Sequence, residues 1–116
     1  MKISLVNSVL CYVGSNMPNL LDYIDANGKV GEGSNAYRFG MREGQEIRDV
    51  IAAFPTPNGK RQSFEVNRVQ ALVIRDRIEF AYEIASDNAA DGDRDAGRMA
   101  VYYRSAIKHI DEQLAN

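Results

Sequence analysis

The chain carries one histidine, His109, and one cysteine, Cys11. One of each cannot build the usual zinc ligand sets, so no metal is expected. Cys11 sits in an apolar segment with no adjacent Lys, Arg or His to favour its thiolate. It reads as a buried small hydrophobe rather than a nucleophile. Asp111 and Glu112 are paired carboxylates, but they fall on a C-terminal helical turn where water is the expected neighbour. No catalytic constellation results, and a small enzyme is the weakest of three function classes.

Two stretches imitate cation sites. Asp25-Ala26-Asn27-Gly28-Lys29-Val30 resembles the middle of an EF-hand loop, but the loop ends would be Tyr23 and Ser34, where carboxylates are required. Asp91, Asp93 and Asp95 alternate like calcium ligands, but Tyr102 occupies the twelfth place. Carboxylates at a helix start are accounted for by capping and by the helix dipole. Gly31-Glu32-Gly33-Ser34-Asn35-Ala36 is a loose dinucleotide-binding turn without a flanking βαβ unit, and Glu32 would oppose a pyrophosphate. No cofactor is expected.

Cations and aromatics leave more to weigh. Arg77 falls near the centre of an apolar helical arc, with Gln70 two turns before it. Its stem can snorkel to the edge of a core, or its charge can pair with a buried carboxylate. The sharper reading is a groove in which Arg77 meets an acidic or phosphate-bearing ligand. On the last helix Arg98, Tyr102, Ser105 and His109 recur at i, i+4, i+7 and i+11. Tyr and Arg are enriched at interface centres, so this line is a candidate partner-binding face, with a solvated shoulder as the plain alternative. Tyr37 and Phe39, in the glycine-rich region, are further partner-binding candidates. Charge is uneven: from Ala36 to Arg77 there are eight basic and five acidic residues, and from Ile78 to Asn116 four and eight. Lys60 and Arg61 precede a helix start, where free N–H groups favour anions. With Arg68, Arg75 and Arg77 they form the candidate anion-binding set for nucleic acid or a nucleotide.

The elements that position these residues follow from periodicity. Ser63 to about Ala85 reads as one long helix with Ser63 as its cap. Val66, Val69, Val73, Phe80 and Ile84 lie on one side at about 100° per residue. Ala71, Ile74, Ile78, Ala81 and Ala85 extend the apolar surface to roughly 200°, more than one neighbour covers. Ser86 to Gly92 is a short polar linker. Asp93 then caps a last helix with an unbroken stripe from Ala96 through Met99, Tyr103, Ala106, Ile107 and Ile110 to Leu114. The long helices, about 63–86 and 93–114, should pack antiparallel. Earlier in the chain, 3–13 is read as helix, with a strand as the alternative. Pro18 opens a short helix burying Leu20, Leu21 and Ile24, and Glu43 to Phe54 forms an amphipathic helix stopped by Pro55. Gly28 to Gly44 reads as a long ordered loop, with a hairpin as the alternative.

At 116 residues and 12.9 kDa the chain is expected to be one domain, 1–116, able to bury a core unaided. The expected fold is all-α: a compact bundle of four to five helices around the C-terminal pair. A net charge of −2 gives no global field toward nucleic acid or membrane. A single cysteine and no signal-like segment imply a reducing, cytoplasmic setting. The leading expectation is a small non-catalytic regulatory or inhibitory protein that binds another protein, of the kind phages and mobile elements carry as accessories. A homo-oligomer is compatible with it. An anion-binding module for nucleic acid or a nucleotide is the alternative.

Overall fold

The computed structural model describes residues 1–116. Two long helices, α4 (Arg68–Ala90) and α5 (Arg94–Leu114), pack against each other at the centre of a mostly helical molecule, 64% helix. Before them come β1 (Lys2–Leu5), α1 (Asn7–Gly14), a 3-10 helix (Met17–Tyr23), α2 (Asn35–Phe39), α3 (Gly44–Ala53) and β2 (Gln62–Glu65). The fold is therefore not strictly all-α. β1 and β2 form a two-stranded antiparallel sheet with Ile3 opposite Phe64 and Leu5 opposite Gln62.

The sheet corrects two expectations, and the reason is the same for both. Residues 3–13 are neither one helix nor one strand; they change at Val6. Ile3 and Leu5 alternate inward as a strand, while Val9, Leu10 and Val13 bury at helical spacing. The strand found its partner about sixty residues away, in the stretch assigned to the start of the long helix. Ser63 thus pairs with Ser4 instead of capping α4. The cap is Asn67, in a reciprocal box with Gln70: Asn67 Oδ1 accepts the Gln70 N–H at 2.8 Å, and Gln70 Oε1 accepts the Asn67 N–H at 3.0 Å. The helix begins five residues later and ends four later than expected. Asp93 caps α5, its Oδ1 accepting the Ala96 N–H at 3.0 Å.

Twenty-two buried apolar residues form one cluster spanning β1, α1, α3, α4 and α5. On the 3-10 helix, three residues per turn put Met17 and Leu20 on the buried row. Leu21, expected inside, is 45% exposed. Cys11 is exposed as well, with Asn7 Nδ2 3.6 Å from its sulfur. The helical row of α1 that faces the core is Val9, Leu10 and Val13, one step away from Cys11.

The glycine-rich region is more structured than a loop. Ile24 bridges Val30 and Lys29 bridges Glu43 around a turn at 25–28, and α2 occupies Asn35–Phe39. Asp25 Oδ1 accepts the N–H groups of Asn27 at 2.8 Å and Lys29 at 3.0 Å, which closes the turn that resembled a calcium loop. At the start of α3 the Glu46 carboxylate accepts the N–H groups of Arg42 and Glu43, each at 3.0 Å. No helix is long and apolar enough to cross a membrane.

Candidate functional site

The apolar arc of α4 is wider than its neighbours cover, and the surplus forms a groove. Val73, Ile74 and Ile78 are buried, whereas Phe80 and Ile84 are 54% and 48% exposed. Opposite them stand Met99 and Tyr103 of α5, with Tyr12 of α1, 57% exposed, along one side. The groove encloses about 400 Å³. Because α4 and α5 are antiparallel, it runs from Arg77 and Tyr103 at one end to Asn88, Asp93 and Asp95 at the other. Eleven residues of α4 separate the ends, about 16 Å at ~1.5 Å per residue.

Arg77 closes one end with an unmet need. Its Nε is the one buried side-chain nitrogen or oxygen with no hydrogen-bond partner. The guanidinium lies 5.2 Å from the Phe80 ring centroid, and no carboxylate is within ion-pair reach of it. A shallow recess on its other side holds Asp76, Glu79 and Glu83, two of them already engaged. Asn35 Nδ2 donates to Asp76 at 3.3 Å, and Arg75 Nη1 to Glu79 at 2.6 Å. A guanidinium nitrogen left buried without an acceptor is costly. The Nη groups beside it make no side-chain hydrogen bond either, and an incoming carboxylate could pair with them.

Tyr103 carries the groove's one perturbed acid. Burial, and secondarily the Tyr12 phenol, push its hydroxyl above the ordinary value of 10.0. The folded chain holds this proton to higher pH than the unfolded chain does, so stability falls as pH rises from about 10 through the folded-state value. Tyr103→Phe should remove that part of the alkaline loss. Urea midpoints at pH 8 and above pH 10 test it: an equal decline in both proteins would exclude Tyr103 as its source.

The sequence candidates are dispersed. Arg75 clamps α4 to α5: its Nε donates to Asp111 Oδ1 at 2.6 Å and its Nη2 to Asp111 Oδ2 at 3.2 Å. Those bonds, with Glu79 adding less, raise its already high pKa despite partial burial. Arg68 Nη1 donates to the Leu114 carbonyl at 3.0 Å, at the end of α5. Lys60 is exposed in the turn before β2, and Arg61 reaches Ser4. Of the line on α5, Arg98 is exposed, 3.8 Å from Asp95. Tyr102, Ser105 and His109 surround a separate recess with Ser4, Val6 and Arg61. Tyr37 lies under the Arg42 guanidinium at 3.8 Å, and Phe39 packs against the core.

Tyr12, Phe80 and Ile84 had no place among those candidates. For Phe80 and Ile84 the signal was the 200° arc itself, which called for two neighbours where one side stays open; Tyr12, on α1, lay outside that arc. Comparison with protein-family models, curated sequences and solved structures finds no match for this chain.

Proposed function

We propose that the protein acts by binding another protein, as a regulatory or inhibitory partner without chemistry of its own, through the groove between α1, α4 and α5. The observation that carries this reading is Arg77, a cation without an ion pair at the end of an apolar groove. The occupant we infer is an amphipathic helical segment of about three turns, seated as helices seat in apolar grooves. Its apolar row fills the space between Phe80, Ile84 and Met99. Charge sets its direction: a carboxylate meets Arg77 and a Lys or Arg meets Asp93 and Asp95. The reducing, cytoplasmic setting expected from the single thiol belongs to the same proposal.

A photo-crosslinking residue at Ile84, expressed in the native host, tests it. The expected product joins Ile84 to an amphipathic segment with an acidic residue at the Arg77 end, and Phe80→Asp or Arg77→Met should abolish it. Crosslinks no more specific than those from a probe at Gln45, on the exposed face of α3, would overturn the proposal. So would a crosslinked segment lacking an apolar row, or a product that is only a second copy of this chain.

A further inference from the structure

We propose that the recess between β1 and α5 binds a phosphate monoester. It encloses about 330 Å³ and gathers Ser4, Val6, Arg61, Tyr102, Ser105 and His109. It shares no lining residue with the groove of α1, α4 and α5. No carboxylate lines it. Arg61 has no acidic partner; its Nη1 reaches only Ser4, at 3.3 Å from Oγ and 3.5 Å from the carbonyl. No side-chain hydrogen bond within the protein engages the Tyr102 or Ser105 hydroxyl, and both residues line the recess.

His109 decides what chemistry the recess can support. Its Nε2 accepts the Ser4 backbone N–H at 2.9 Å. With Nε2 accepting, the ring proton resides on Nδ1. Ser105 and His109 lie one helical turn apart on α5, but no hydrogen bond joins them and Nε2 is already occupied, so no nucleophile–base pair forms. What the recess offers is a set of donors: the guanidinium fork, two hydroxyls and a ring edge. A phosphate dianion accepts from all of them, and guanidinium suits its geometry. A bare phosphate fills only part of the space. Tyr102, 47% exposed, with Val6 and Ala106 supplies an apolar wall for the organic part of the ester.

The test follows the ring signals of His109, unambiguous because it is the only histidine, in titrations with three probes. Inorganic phosphate, a nucleoside monophosphate and the parent nucleoside are each taken to about 10 mM, where even millimolar binding is visible. The expected result is a shift with both phosphates, tighter for the monophosphate, and none with the nucleoside. If inorganic phosphate binds as tightly as the monophosphate, the ligand is free phosphate and the ester reading is overturned. Arg61→Met, at an exposed position, should weaken binding about tenfold or more, as loss of a charge-assisted pair does, and Ser105→Ala should weaken it less. No shift with either phosphate, a response to acetate equal to that for phosphate, or undiminished binding by Arg61→Met overturns the proposal.

Discussion

Val73→Asp should unfold the domain, while Ile107→Asp should only weaken it. Val73 is 2% exposed within the central cluster, so an aspartate there meets no cation and no water. Burying an unpaired carboxylate costs several kcal/mol, on top of the lost valine packing. Domains of this size are stable by only about 5–15 kcal/mol. Ile107 is half-buried at the edge of the same cluster, where a carboxylate can turn to solvent. Its cost should stay near the lost apolar area, roughly 1–3 kcal/mol. Circular dichroism with urea titration measures both. A cooperative transition for Val73→Asp at the wild-type midpoint would mean that α4 is rotated from the phase described.

The second large effect is at the start of α3. Gly44→Ala should destabilise by about 1–3 kcal/mol, the range for overpacking. A Cβ there would lie 2.8 Å from the Gly28 carbonyl oxygen and 3.0 Å from Ile24 Cγ2. The same carbonyl accepts the Gly44 N–H at 2.8 Å, so the methyl group forces apart the contact that holds the 25–30 turn on α3. Gly33→Ala is the control: nothing lies within 4 Å of its Cβ and its φ is not left-handed. It should fall within about 0.5 kcal/mol of wild type, as open surface changes do. Equal urea midpoints for the two variants would show that the turn does not rest on α3.

The helical pair was readable because its signals are local and repeated. Ala96, Met99, Tyr103, Ala106 and Ile110 lie on one stripe, and Asp93 caps it within a single turn. Asn67 and Gln70 form an equally local box, but Val66 continued the apolar pattern upstream and Ser63 offered a cap, which drew the expected helix past its real start. β1 was hidden for another reason. Ile3 and Leu5 alternate over only four residues, and the partner that decides strand over helix is remote in sequence. The candidate sites divide in the same way. Arg77 was visible as a cation inside an apolar arc. That Arg75 is committed to Asp111 while Arg61 shares a recess with His109 depends on how β1 and α5 dock, which no spacing encodes.

The hydrogen bond from Ser4 to His109 joins residues 105 positions apart. On a ribosome adding about 5–20 residues per second, Ser4 is made roughly 5–20 s before His109. β2, about sixty residues on, can supply the sheet edge before then, but α5 cannot cover Ile3 and Leu5 until the end of that interval. The contact between β1 and α5 is therefore among the last that the growing chain can make. A pause in synthesis before α5 would lengthen the time for which that face of β1 stays uncovered.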